Sequence, residues 1–336
     1  MNINSPLLLN KMFFVCTILM TSLVLSAFLG LSMGSSGYEF NTVLKSILTG
    51  DVFHSKADTI IWHIRFPRVL LSILVGAALS LGGLVFQSLL RNPLAEPYIL
   101  GISGGSAIGA ILGILAGFSY FPGIGLFSFA GSMTTLALIL ILSSGHSILK
   151  KDSLILSGVM VNAFCGAITM FLISLTLDSR LHNVMFWLMG DLSNLDIHQV
   201  LILAVVLLPC FIIIFVFSHS MNLMMLGKDS AQSMGVNIKL VTLILLGITS
   251  LMVSATVSTC GPIGFVGLVI PHLFRLIIGQ DNRVLVPACI LGGGSYMILC
   301  DILSRTLPEH GEIPPGVITA IIGAPLFILL LIKTRR

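Results

Sequence analysis

Ten apolar runs follow one another along the chain, near 12–33, 66–90, 98–117, 121–142, 153–177, 198–218, 239–259, 262–279, 284–304 and 313–332. Each is about as long as the roughly 20 residues an α-helix needs to cross the hydrocarbon core of a bilayer. The runs are continuous rather than alternating, so a transmembrane barrel does not fit. Only 9% of the 336 residues are charged and 56% are hydrophobic, against about 25% charged in a soluble domain. A chain this poor in polar residues cannot cover itself with a hydrated surface, which excludes soluble, disordered and coiled-coil classes. The reading is an all-α integral membrane protein with about ten transmembrane helices, a single transmembrane domain over 1–336.

The first run is long and ends on no clean small-x-small site, so it reads as a retained span rather than a signal peptide. With the N-terminus in the cytoplasm, the inner side carries eleven cations: Lys11, Arg91, Lys150, Lys151, Lys228, Lys239, Arg275, Arg283, Lys333, Arg335 and Arg336. The outer side carries six, Lys45, Lys56, Arg65, Arg68, Arg180 and Arg305. The positive-inside rule counts these cations and predicts both termini in the cytoplasm. A net charge of +4 is no nucleic-acid signature.

The six cysteines fall in or beside apolar runs with no CxxC pair, and no two histidines stand at i, i+4. Small buried thiols are expected, with no metal site and no cofactor. No Gly-x-x-x-x-Gly-Lys-Ser/Thr loop occurs, so ATP hydrolysis of that kind is not this chain's own, and no paired catalytic groups mark an enzyme. No span carries a line of carboxylates, which argues against an ion-coupled secondary carrier, the competing class. Asp301 and Arg305 stand four apart on one helical face and can pair. Gly101, Gly105, Gly109, Gly113 and Gly117 form a stripe on the third span; close helix packing and a pore-lining face are both open to it.

Two segments look built for partners. Within 219–238, Leu226, Ser230 and Met234 recur at helical spacing, as do Ala231 and Gly235, and Gly227 and Gly235 bracket the stretch. A short amphipathic helix pair with exposed Met and Leu suits a groove in another protein; a helix lying on the membrane surface is the alternative. At the outer ends of spans two and nine stand Arg65, Arg68 and Arg305. On composition alone, snorkelling to lipid headgroups or internal pairing is a better account of such residues than docking.

From Arg65 onward the chain resembles the permease family of ABC importers for ferric siderophores, haem and cobalamin. Four motifs carry the resemblance: Arg65-Phe66-Pro67-Arg68; Arg91 to Pro97 followed by Leu100-Gly101-Ile102-Ser103-Gly104-Gly105; Gly261 to His272; and Ile313 to Ala320 with Gly323-Ala324-Pro325. The resemblance implies a cobalamin-permease-like bundle, a homodimer or pairing with a close paralogue, two separate ATP-binding cassette subunits, a soluble substrate-binding protein and a bacterial or archaeal inner membrane. It maps ATPase coupling onto Leu226, Gly227, Ser230, Ala231, Met234 and Gly235. It maps binding-protein docking onto Arg65, Arg68 and Arg305, and a cytoplasmic narrowing of the path onto Asn92, Pro93 and Leu94. Ferric siderophore is the favoured substrate as the commonest of the family, with cobalamin and haem behind it.

Overall fold

A computed structural model describes residues 6–34, 56–118, 122–143, 151–176, 178–193, 196–308 and 311–334. Lys45, Lys150, Arg335 and Arg336, four of the cations in the topology count, lie outside the described residues. Among the described residues every regular element is helical. Helix α1 is Pro6–Ser32; α2 joins Lys56–Ile60, a π-helical turn Ile61–Arg65 and Phe66–Leu90. There follow α3 (Ile102–Leu115), α4 (Gly123–Ser143), α5 (Lys151–Ser174), α6 (Asp178–Met189) and α7 (Ile197–Val216). The remainder are α8 (Ser218–Leu226), α9 (Lys228–Ser233), α10 (Ile238–Cys260), α11 (Val266–Ile278), α12 (Asn282–Thr306) and α13 (Pro315–Thr334).

Among the described residues seven helices, α1, α2, α4, α5, α7, α10 and α12, are long and apolar enough to cross a membrane. Shorter apolar helices, α3, α11 and the first part of α13, stand where the third, eighth and tenth spans are expected. With 14 and 13 residues, α3 and α11 are only about 20 Å long. A segment outside the α-helices precedes each one: Asn92–Gly101 before α3, which includes a 3-10 turn at Pro97–Leu100, and Gly261–Phe265 before α11. Pro97 of the first segment lies against Gly82 in the middle of α2, and Gly267, in the first turn of α11 just after the second segment, lies against Gly83. Non-helical backbone at that depth must be satisfied by protein, and here one side chain does much of it. The Tyr98 hydroxyl donates to the Ile263 carbonyl and accepts from the Ile263 N–H, both at 3.0 Å, while Glu96 accepts from the Phe265 N–H at 3.2 Å.

Helix α2 is the central column: 83% of its apolar window is buried, against 6% for α1 at the periphery. It packs on α12, α11, α10 and α7. The closest crossings use missing side chains. A Cβ on Gly76 would overlap the Gly293 carbonyl of α12, and one on Gly83 would overlap the Gly267 carbonyl of α11. Helix α3 meets α4 in the same way, Gly105 against Gly131 and Gly109 against Phe127. Gly113 also faces Phe127. The outer two glycines of the stripe do something else. Gly101 (φ 67°) is the left-handed residue before α3, and Gly117 (φ 97°) follows the helix with open space where a Cβ would be.

Several cations cap helix C-termini, where the last carbonyls lack helical partners and the helix dipole is negative. Arg180 at the start of α6 donates to the Ile114 and Leu115 carbonyls at 3.0 and 2.8 Å, closing α3. Lys11 of α1 reaches the Ile278 carbonyl at the end of α11. Helix α6 itself lies in a stretch that sequence reading left between spans, because it is too short and too polar to register as one.

Candidate functional site

The 219–238 region folds as two short helices split at Gly227. The backbone of Gly227 sits at φ 134°, ψ 158°, a combination that only glycine adopts freely. Helix α9 then ends by turning back: the Val236 N–H donates to the Ala231 carbonyl and the Gly235 N–H to Gln232, with Gly235 at φ 83°. Ala231 is buried, whereas Leu226 and Met234 are 66% and 57% exposed and Ser230 is exposed beside them. One face of α9 therefore holds the bundle while large apolar side chains are left outward.

Helix α8 is wired into the bundle by a polar cluster. The Asn222 amide donates to Asp281 Oδ1 at 2.7 Å, and its carbonyl oxygen accepts from both the backbone and the side chain of Asn282 at 2.8 Å. Arg283 clasps the same carboxylate with Nε at 3.0 Å and Nη2 at 2.6 Å. Asp281 also caps α12 by accepting from the Arg283 N–H. Burial alone would raise this carboxyl, but the Arg283 side chain, the Arg283 N–H and Asn222 outweigh it and hold Asp281 below the usual carboxylate range. Arg91, at the end of α2, donates to the Met224 carbonyl of α8. Helix α8 is thus bonded both to the end of α2 and to the start of α12.

Beside this junction is the Asn92-Pro93-Leu94 turn. Arg91 closes α2 in the left-handed region at φ 50°. Asn92 Oδ1 accepts from the Leu94 N–H at 2.9 Å, and the Asn92 carbonyl from Ala95 at 3.1 Å. Pro93 fixes its own φ and keeps Asn92 out of the helical region. Leu94 is 47% exposed at the tip, with Ala95 buried behind it.

At the opposite end, Arg65, Arg68 and Arg305 stand at helix ends but are buried, and each is bonded within the chain. Arg68 pairs with Asp301 at 2.8 Å and with Glu312 at 2.7 Å; Arg305 pairs with Asp301 at 3.0 Å. Arg65 donates to the Leu31 and Ser32 carbonyls, and Arg305 to Gly30 and Met33, so the two cap the C-terminus of α1 from both sides. Glu312, 40% exposed, is the accessible member of the Arg68–Asp301–Arg305–Glu312 cluster. Sequence reading found the Asp301–Arg305 spacing and missed Glu312, Asn222, Asp281, Asn282 and Tyr98. Asp281 before an apolar run is an N-cap signal that could have been read. Nothing local in the sequence brings Asn222 to Asp281 or Tyr98 to Ile263.

A helical bundle with interrupted helices packed at mid-depth, a rigid proline turn and a protruding helix pair at one end is the architecture of a membrane transport subunit. The chain belongs to the FecCD transport family, whose sequence profile matches residues 22–333. It is 39% identical over 292 residues to the vitamin B12 import system permease BtuC of Escherichia coli O6:H1, covering 86% of this chain and 89% of that one. It is 38% identical over 329 residues to the uncharacterized ABC transporter permease YvrB of Bacillus subtilis, covering 94% and 92%. Among solved structures it superposes on an inward-facing metal-chelate type ABC transporter with TM-score 0.84 and 32% identity, covering 95% of this chain and 99% of that one. PsaBC of Streptococcus pneumoniae, at 17% identity and TM-score 0.58, covers 86% and 95% and shares the fold. The chain is a multi-pass inner-membrane permease of the ABC importer type.

Proposed function

We propose that this chain is the transmembrane subunit of an ATP-driven importer for a large metal chelate. Its single transmembrane domain, residues 1–336, would have ten spans and both termini in the cytoplasm. Two copies, or one copy and a close paralogue, enclose the path; two separate ATPase subunits bind the α8–α9 end, and a soluble binding protein delivers cargo at the other. The observation that carries this reading is the bonding of α8 to the end of α2 through Arg91 and to the start of α12 through Asn222. It ties the helix pair that carries the outward Leu226 and Met234 to the central helix, which suits 219–238 to coupling. Support for a second copy comes from α5, where Asn162 is exposed beside Ala163, Gly166 and Ala167. A polar side chain there needs a partner helix or a wet path rather than lipid.

For the cargo, the 39% identity to a vitamin B12 permease favours a corrinoid, while ferric siderophore is the commonest substrate of the family the motifs resemble. Binding-protein docking is assigned to the surface framed by Arg65, Arg68 and Arg305. These arginines act from beneath it by holding Glu312 and the end of α1. The test is uptake by reconstituted vesicles holding the permease, its ATPase and its binding protein, offered cobalamin and a ferric siderophore separately. ATP-dependent accumulation of one chelate is expected. Uptake driven by a proton or sodium gradient without ATPase would overturn the reading in favour of a secondary carrier.

The Asn92-Pro93-Leu94 turn is assigned to the cytoplasmic narrowing, with the two exposed Leu94 side chains meeting near the dimer axis. A cysteine variant, Leu94→Cys, is expected to cross-link between copies in the resting transporter and less readily during ATP turnover. Absence of cross-linking in every state, with the variant still transporting, would remove this turn from the path.

A further inference from the structure

A pocket of about 410 Å³ opens between the end of α2, α9 and the starts of α5 and α10. Three cations line it: Arg91, Lys228 and Lys239, all exposed. None of the described lining residues is acidic, and none of the three forms an ion pair among the described residues. The inner wall is apolar, with Leu90 and Ile238 half-buried over a floor of buried Phe86, Leu100 and Leu246. The volume falls in the range of small-molecule sites, roughly 300–1,000 Å³. A second feature is independent of the cavity. Arg91 holds the left-handed position that ends α2, where glycine or asparagine is usual and other residues are strained. A long cationic side chain is kept there at that cost, and the Met224 carbonyl engages only part of its five-donor fork.

We propose that this pocket binds an anionic phospholipid from the leaflet at this end, its phosphate between Arg91, Lys228 and Lys239 and its first acyl segment over Leu90 and Ile238. Free phosphate or a carboxylate from a protein partner would satisfy the cations and leave the apolar wall bare, so an amphiphile is the better match to the whole surface. The three cations come from α2, α9 and the start of α10. A bound phosphate therefore pins α9 to both long helices and sets its orientation.

The experiment uses the full chain in nanodiscs of phosphatidylcholine with a minor fraction of phosphatidylglycerol. After detergent extraction, the lipid retained per chain is measured by mass spectrometry. The wild type is expected to retain phosphatidylglycerol in preference to phosphatidylcholine. The double variant Lys228→Gln/Lys239→Gln, on the exposed rim, should lower that retention roughly tenfold or more, since each cation near an anionic lipid surface contributes about a fivefold factor in affinity. Leu90→Gln, which removes apolar surface from the half-buried wall without changing charge, should lower it too, and millimolar inorganic phosphate should not displace the lipid. No preference in the wild type, or unchanged retention in the double variant, overturns the proposal. Displacement by inorganic phosphate reassigns the pocket to a free anion, and displacement by the ATPase reassigns it to a protein carboxylate; either also overturns it. Retention is read without transport, so the result stands apart from the coupling role of 219–238.

Discussion

Asp301→Ala is expected to cost about 3–5 kcal/mol, the usual consequence of removing one partner from a buried ion cluster. Asp301 is fully buried between Arg68 and Arg305, themselves 6% exposed. With Glu312 the four formal charges cancel, two positive and two negative. Without Asp301 the site holds two buried guanidinium groups and one half-exposed carboxylate. Arg305 would lose the contact that aims it at the Gly30 and Met33 carbonyls, so the seat of α1 loosens as well. Asp301→Asn should keep the shape and still lose most of the stability, because the missing quantity is charge. The check is the midpoint of thermal aggregation of the solubilised protein, with Glu312→Gln as the milder, more exposed comparison. An Asp301→Ala variant as heat-resistant as the wild type would show that the arginines find other acceptors. The same geometry gives a different expectation for Arg68→Glu: it would set three carboxylates around Arg305 and destabilise the permease itself before any question of binding-protein docking arises.

What the sequence could and could not convey divides along the range of the interactions. Continuous apolar runs mark membrane helices because the bilayer demands the same thing of every residue in the run. The runs at 66–90, 239–259 and 284–304 accordingly lie within α2, α10 and α12. Helices α3 and α11 are shorter than their apolar runs, because apolarity cannot tell an α-helix from the 3-10 turn at Pro97–Leu100 or from the irregular backbone at Ile263 and Phe265 that Tyr98 and Glu96 satisfy. The cations were legible as topology signals and as motif residues. Their work as caps for α1, α3 and α11 was not, since each donor lies 33 or more residues from its acceptor. The glycine stripe was legible as close packing, but only the structure separates Gly105 and Gly109, which approach α4, from Gly101 and Gly117, which turn the chain. The helix pair at 219–238 could be read from its spacing and its flanking glycines. Its anchorage could not, because Asn222 meets Asp281 across 59 positions of sequence.

Gly227→Val should reduce uptake to the level of a transporter lacking its ATPase while leaving membrane insertion intact. The nearest atom to a Cβ at this position is the Ser230 Oγ at 3.7 Å, so there is room for a side chain. The obstacle is the backbone. At φ 134° and ψ 158° a β-branched residue is strained by an amount of order 1–3 kcal/mol, and the cheapest relief is to rotate α9 about its junction with α8. That rotation would turn Met234 away from the surface it now shares with Leu226 of α8 and draw Lys228 out of its pocket, without touching the Asn222–Asp281 junction that secures α8. The loss should therefore appear in coupling rather than in folding: normal yield and thermal midpoint, normal binding-protein association, but no stimulation of ATP hydrolysis by loaded binding protein. Asn222→Ala supplies the complementary break, leaving α9 oriented while detaching α8 from α12. It should weaken stimulation too, with some loss of stability because Asp281 and Asn282 each lose a part-buried hydrogen-bond partner. Full uptake and normal stimulation in Gly227→Val would mean that the orientation of α9 is immaterial, and would take 219–238 out of the coupling path.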